Sequence, residues 1–444
     1  MKKRFAAIVL TVLLVLLSGC SGFSLSVSEN LAPPKPSGEL YEIQKALEAS
    51  VGHDVDLVYP SSGKYRSAII TKDINSDGKY DVFSFYSTET DDKTTVMHIN
   101  YIRWIDEQWV SVTDMQVDAS GVESIEFVKL DKSDTPKVLV NWERYSANNK
   151  RLSVYDIDSG ELDEITNEVY SVYTTCDFDS DGISEIVAVY LDPENKVSTA
   201  TLLSLGDDGL SEKSTCRLDG TVTAYYPPML SKLTTGETAL FIDADKATGM
   251  ITEVLRIKDD QLVSAVPYMS NMENVNTLRV SSVRSVDYDD DGSIDIPLAY
   301  KIPTVSSSAE DDSAYMTVWN SFDGVVLKPV FHTFINYTDG YYFNIPPNWV
   351  NAVAIERRLS EKERVFYRWD PLMLELGEEI LRIRAVPLAD WESGKSGLDG
   401  YSEINRSLEE AFVVRFGSSA LNPGIEFFKN NFNIITADST AYIK

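Results

Sequence analysis

Three nine-residue segments of this chain superimpose without gaps, and no other feature limits its fold as strongly. They are Asp73-Ile74-Asn75-Ser76-Asp77-Gly78-Lys79-Tyr80-Asp81, Asp177-Phe178-Asp179-Ser180-Asp181-Gly182-Ile183-Ser184-Glu185 and Asp287-Tyr288-Asp289-Asp290-Asp291-Gly292-Ser293-Ile294-Asp295. Each places oxygen-bearing side chains at loop positions 1, 3, 5 and 9 and glycine at position 6, where the chain must turn sharply; hard cations take this kind of ligand set. Position 7 would add a backbone carbonyl, from Lys79, Ile183 or Ser293. An EF-hand is excluded, because that loop needs a bidentate Glu at position 12 and here Ser84, Ala188 and Leu298 stand there. Apolar β-rich runs flank the loops, such as Ser67-Ala68-Ile69-Ile70 before the first and Ile186-Val187-Ala188-Val189-Tyr190 after the second, so each loop is predicted to join two strands.

Two worn copies lie between the intact ones, starting at Lys129 and Ser231, and neither keeps the carboxylates to hold an ion. The five starts, at 73, 129, 177, 231 and 287, are 56, 48, 54 and 56 residues apart. A near-constant period of this size marks a repeat architecture. Each period holds about four short β-runs, in the second unit Lys137 to Tyr145, Arg151 to Asp156, Leu162 to Ile165 and Val169 to Asp177. Four strands per repeat is the composition of a propeller blade.

The loop pattern D-x-[DN]-x-D-G-x-x-[DE] between strands resembles the FG-GAP and VCBS repeats of integrin-type β-propellers, over roughly residues 55 to 330. That resemblance implies a mainly β fold, a ring of four-stranded blades with structural Ca2+ in hairpin loops on one face, and a role in binding or adhesion. The chain departs from the pattern in its two ligand-poor repeats and in having five clear starts. Phe334 to Ile345, with Asp339-Gly340, is a candidate degenerate sixth start. Beyond about residue 335 the period is lost, and helix-like stretches near Glu403 to Phe412 and Gly424 to Phe428 predict a small C-terminal α+β domain, with degenerate closing blades as the alternative. The expected organisation is thus a signal segment over 1–19, a tether over 20–38, a repeat body over 39–334 with an N-terminal helix presenting Leu40, Ile43 and Leu47 on one face, and a C-terminal domain over 335–444.

Three or four carboxylates in one short loop repel each other, and a bound cation reverses that penalty. The first loop, with neutral Asn75 and with Lys79 nearby, is expected to bind weakest, and the second, with four acids, more tightly. Extracellular calcium modules commonly have dissociation constants of about 0.1 to 1 mM. The net charge of -29 repels phosphate backbones and anionic lipid alike, so nucleic acid is not an expected partner.

The N-terminus reads Met1-Lys2-Lys3-Arg4, an apolar run from Phe5 to Leu17, and Leu17-Ser18-Gly19-Cys20. The run is shorter than the ~20 residues a spanning helix needs. It resembles bacterial lipoprotein signals, which implies a lipid on Cys20, cleavage before it, and a body held outside the cytoplasm at the cell envelope. Ser-rich and Pro-rich residues to Gly38 form the expected tether. Cys176 and Cys216 are either a disulfide or two buried free thiols.

No catalytic set stands out. His53, His98 and His332 are far apart, and Ser61-Ser62-Gly63-Lys64 matches S-x-x-K without its partner motifs. Gly394-Lys395-Ser396 lacks the first glycine of a phosphate loop, and the acidic pairs Glu378 with Glu379 and Asp390 with Glu392 are surface carboxylates unless the fold isolates them. Three readings therefore stand: a binding or scaffolding module for an extracytoplasmic protein or glycan, a polysaccharide-acting lyase or hydrolase, as in some propellers of the resembled class, and a purely structural envelope protein.

Overall fold

The computed structural model describes residues 38–52, 55–89, 94–144, 150–178, 181–206, 209–305 and 314–436. The signal segment, Cys20 and the tether up to residue 37 lie outside the described residues, as do His53 and Asp179. No helix among the described residues is long and apolar enough to cross a membrane. The fold is mainly β, with a small helical part.

Six antiparallel sheets follow one another along the chain. In the first, Asp56–Leu57 and Ile69–Lys72 both pair with Asp81–Glu89, followed by Thr95–Ile105 and Gln108–Val117. The second is Gly121–Val128, Lys137–Glu143, Lys150–Asp156 and Asp163–Tyr170, and the third is Val172–Cys176, Glu185–Asp192, Val197–Gly206 and Gly209–Arg217. The fourth pairs Val222–Tyr225 and Met229–Lys232 with Thr238–Lys246, then adds Gly249–Lys258 and Gln261–Ser264. The fifth runs Ile296–Ile302, Ala314–Phe322, Leu327–Asn336 and Tyr341–Asn344, with Phe432–Ile434 returning to its edge. The sixth is Val353–Arg358, Glu363–Asp370, Glu375–Pro387, Glu410–Phe416 and Ser402–Arg406.

Side-chain alternation explains how these sheets stack. In Asp81–Glu89, Phe83 and Phe85 pack toward the second sheet with Val138, Val140 and Trp142. Val82 and Tyr86, on the other face, pack on Ile43 and Leu47 of the N-terminal helix Glu39–Val51. Leu139 of the second sheet meets Ile186 and Ala188 of the third, and Val187 and Val189 meet Leu240 and Ile242 of the fourth. Phe241 then meets Ile296 and Phe322 of the fifth, whose Phe334 and Phe343 share a core with Phe366, Ile383 and Phe412 of the sixth. No buried cluster among the described residues joins the first sheet to the sixth. The outward face of the sixth, with Val386, Ala411 and Val413, is covered by Leu388, Trp391, Leu398 and Tyr401, as the first is covered by its helix.

Three expectations change. Residues 334–345 do not start a sixth repeat: they are the end of Leu327–Asn336, a turn and Tyr341–Asn344, inside the fifth sheet. Residue 335 likewise lies within a strand, and residues 353–416 build a sixth sheet that shares its core with the fifth. The stretch 403–412 is not helix but the hairpin that joins Ser402–Arg406 to Glu410–Phe416, with Ala411, Phe412, Val413 and Val414 buried on both faces, whereas Ile425–Asn431 is helical as expected. A run of apolar residues buried on two sides has neither the period of a helix nor that of a half-exposed strand, so the sequence pattern misled there. In the N-terminal helix, Ile43 and Leu47 are buried but Leu40 is exposed.

Between the fourth and fifth sheets the chain crosses without strands, held by polar contacts. Gly249 has φ 141°, and a Cβ there would lie 1.9 Å from the Arg279 carbonyl oxygen, so only glycine allows Met250 and Arg279 to exchange backbone hydrogen bonds of 2.8 and 2.9 Å. The fully buried Arg279 guanidinium donates through Nη2 to Asp243 Oδ1 at 2.9 Å, through Nη1 to the Thr252 hydroxyl at 2.9 Å and through Nε to the Val283 carbonyl at 2.6 Å. Nearby, Lys246 pairs with buried Asp219 at 2.8 Å. Burial pushes the Glu253 carboxyl up to about 7, although Asp219 N–H, Tyr268 and Asn274 donate to it.

Candidate metal centre

All five loop starts fall at one topological position. The loops at 73, 129, 177 and 231 each connect an edge strand of a sheet to its neighbour, and the loop at 287 is closed by an isolated bridge between Val286 and Asp295 before the strand Ile296–Ile302 begins. Position 9 is therefore at or beside the start of a strand, and its side chain turns inward: Asp81, Glu185 and Asp295 are buried, while position 5 stays exposed.

The three intact loops share a hydrogen-bond scaffold. The backbone N–H of position 5 donates to Oδ1 of position 1 at 3.1, 3.1 and 3.0 Å in the first, second and third loops. The glycine N–H at position 6 donates to Oδ2 of the same residue at 3.1, 2.9 and 2.8 Å, and position 7 donates to position 5 at 2.8, 2.7 and 2.7 Å. Gly78, Gly182 and Gly292 take φ of 85°, 84° and 88°, the left-handed region that glycine enters at least cost. Position 9 is tied in by the N–H of position 2 in two loops, Phe178 to Glu185 at 3.2 Å and Tyr288 to Asp295 at 3.1 Å.

The loops differ in the partners their described acids meet. In the third, ligand oxygens of Asp287, Asp289 and Asp295 all lie within 4.8 Å of one another. Asp291 accepts from Ser293 beside them. Burial first, and then the neighbouring carboxylates of Asp289, Asp291 and Asp287, push the Asp295 carboxyl up to about 7. A divalent cation would relieve that strain, so the residues fit calcium, with Asp287, Asp289, Asp291, Asp295 and the Ser293 carbonyl as the available oxygens. In the second, the oxygens among the described residues are those of Asp177, Asp181, the Ile183 carbonyl and Glu185, with Lys213 Nζ 3.5 Å from Glu185. In the first, competing partners occupy the acids: Tyr101 donates to Asp81 at 2.6 Å, Arg103 Nε lies 3.7 Å from it, and the Asn75 amide donates to Asp77 at 3.1 Å.

The worn loop at 129 holds a residue that reading for oxygen ligands alone passes over. Lys137 stands at its position 9, buried, with Nζ 2.8 Å from Asp156, 3.2 Å from Asp131 and 3.4 Å from Asp158. Burial opposes the charge, yet hydrogen bonds to Asp156 and Asp131 hold the ammonium above the usual lysine range. The chain supplies its own cation where its sister loops present acids. The signal was in the register, since position 9 changes from acid to lysine. In the loop at 231, position 9 is Ala239, and Glu237 pairs with Arg256 at 2.9 Å.

The other motif residues are engaged elsewhere. Ser61 donates to Glu143 at 2.5 Å while Lys64 lies over the Tyr65 ring. Lys395 pairs with Asp390, Arg406 with Glu392, Arg368 with Glu378 and Arg382 with Glu379. His98 stacks on Tyr86, and burial lowers the pKa of His332. Cys176 and Cys216 are free thiols, with burial pushing Cys176 up to about 12.

No family model matches the chain, and no curated protein matches it by sequence. Among solved structures it is similar to a rhamnogalacturonan lyase of Bacillus licheniformis, PL11, at 11% identity and TM-score 0.32, covering 66% of this chain and 66% of that one, just under two thirds of its length. It is similar to the exotype rhamnogalacturonan lyase YesX at 11% identity and TM-score 0.32, covering 73% of each chain. A third is the rhamnogalacturonan lyase YesW, at 9% identity and TM-score 0.31, covering 82% of this chain and 90% of that one.

Proposed function

We propose that the chain is an envelope-anchored lipoprotein whose propeller-like row of sheets is stabilised by calcium and serves as a binding or scaffolding module for an extracytoplasmic protein or glycan. The observation that carries the metal reading is the hydrogen-bond scaffold common to three loops, together with the convergence of Asp287, Asp289 and Asp295 in the third. The anchor rests on the lipobox ending at Cys20. A binding role is favoured over chemistry because the serine, lysine and acidic residues with catalytic potential are tied into local hydrogen bonds and ion pairs.

Bound calcium stabilises the folded chain by mass action, worth about 1.4 to 2.7 kcal/mol per site at ten to a hundred times the dissociation constant. Thermal unfolding in 10 mM calcium against excess chelator is expected to differ by about 5 °C or more. Equal melting temperatures in the two buffers would overturn the stabilising role.

A further inference from the structure

We propose that the hairpin tip Pro371 to Leu376 is a second, non-covalent membrane contact that dips into the apolar layer of the bilayer to which the chain is tethered; this rests on the anchoring reading above. The tip joins Glu363–Asp370 to Glu375–Pro387. It exposes Leu372 at 92%, Met373 at 67%, Leu374 at 70% and Leu376 at 44%, the densest run of exposed large apolar side chains among the described residues. Hairpin turns ordinarily carry Gly, Asn or Asp, and a soluble tip gains nothing from three aliphatic residues in succession.

The tip is built, not frayed. The Asp370 carboxylate accepts the N–H groups of Leu372 and Met373 at 3.0 and 3.1 Å. Leu374 sits at φ 55°, a left-handed conformation disfavoured for leucine and kept here in place of the usual glycine. Both the backbone and the hydration of this turn are unfavourable for an isolated chain, so the compensating gain lies in what covers it.

Its composition and surroundings select the occupant. The tip is exposed throughout, and the residues that dominate protein interfaces, Trp, Tyr and Arg, are missing from it, whereas leucine is under-represented at such hot spots. A fluid hydrocarbon layer accepts Leu and Met without a matching pocket. Trp369, partly buried at the base opposite Leu376, is placed as an interfacial aromatic would be. The collar of Asp370, Glu375 and the Arg368–Glu378 pair is net acidic, so the contact is apolar and not an attraction to anionic headgroups.

Direction and reach agree. The parallel bridge between Thr304 and Ile355 runs the first strand of the sixth sheet away from the metal-loop edge, so the next strand brings the 371–374 turn back to that edge. Val325 and Val326, exposed at 74% and 51%, cap another hairpin on the same edge. From Cys20 to Gly38 the chain can span at most about 60 Å, enough to bring this edge to the bilayer and to hold it there at high effective concentration.

The test uses the acylated full chain in phosphatidylcholine vesicles, with an environment-sensitive dye on M373C and, as reference, on S360C at the opposite turn of the same sheet. The dye at 373 is expected to shift to the blue and to be quenched by a lipid-chain quencher, while the dye at 360 stays accessible to a water-soluble one. Leu372→Asp and Leu374→Asp, both at exposed positions, are each expected to lower the lipid-quenched fraction about tenfold without moving the melting temperature. The mass of the N-terminal peptide reports acylation separately. An acylated chain whose dye at 373 stays in water overturns the tip contact alone; an unacylated chain with the dye in water overturns both readings. A dye shielded only after envelope proteins are added assigns the tip to a protein and also overturns it.

Discussion

Arg279→Met is expected to cost about 3 to 5 kcal/mol of unfolding free energy. The guanidinium is fully buried and pairs with the Asp243 carboxylate at 2.9 Å, which also accepts from Ser285 N–H at 2.8 Å, the Ser285 hydroxyl at 2.9 Å and the Thr252 hydroxyl at 2.7 Å. Removing it leaves the Asp243 carboxyl without its ion-pair partner in the core and deprives the Thr252 hydroxyl, the Thr277 carbonyl and the Val283 carbonyl of a donor. The same contacts fasten the strandless crossing between the fourth and fifth sheets, so its loss should also loosen the third metal loop that follows. Adding Asp243→Leu removes the stranded charge, and the double variant should be more stable than the sum of the two single losses. Urea unfolding of the four proteins reads this directly; a loss under 1 kcal/mol for Arg279→Met would show that the crossing is not held by this pair.

The second large effect is a coupling of pH and calcium at Asp295. With its carboxyl pushed up to about 7, the folded chain holds a proton that the unfolded chain releases near the ordinary aspartate value of 3.8. Its contribution to stability is full below about pH 4 and is lost as pH rises through 7, on the order of 4 kcal/mol at most. Calcium replaces the proton as the partner of the cluster, so stabilisation by calcium should grow across the same window and be greatest above pH 7. Asp295→Asn is expected to flatten this part of the profile in chelator, to melt above the native chain at pH 8 without calcium, and to lose the third loop's response to the ion. Glu253, also pushed up to about 7, contributes a slope of the same sign, and the difference between native and Asp295→Asn chains isolates the loop. Identical calcium responses of the two proteins at pH 8 would remove Asp295 from the ligand set.

The sequence carried the loops because their chemistry is local. A glycine at position 6 and acids at positions 1, 5 and 9 report a turn that the same few backbone hydrogen bonds build each time, and the spacing of starts follows from one sheet per period. What it hid depends on partners distant in sequence. Lys137 reads as a surface lysine until Asp156 and Asp158, on the next hairpin, close around it. Arg279 and Asp243 are 36 residues apart and carry no motif. The C-terminal sheet escaped because Ala411 to Val414 are buried on both faces, erasing the alternation that marks a strand, and because its edge partner Ser402–Arg406 is short and charged. The stretch 432–434 cannot be read as the fifth sheet's edge from any pattern; its pairing with Tyr341–Phe343 spans about ninety residues of chain.

The most direct measurement is calcium anomalous scattering from crystals of the full chain grown in millimolar calcium. Peaks are expected within coordination distance of Asp287, Asp289 and Asp295 and of Asp177, Asp181 and Glu185, a weaker one at Asp73 and Asp77, and none at 129–137, where the Lys137 ammonium stands. Acidic loops without anomalous density at that concentration, or an ion seated beside Lys137 instead, would contradict the account.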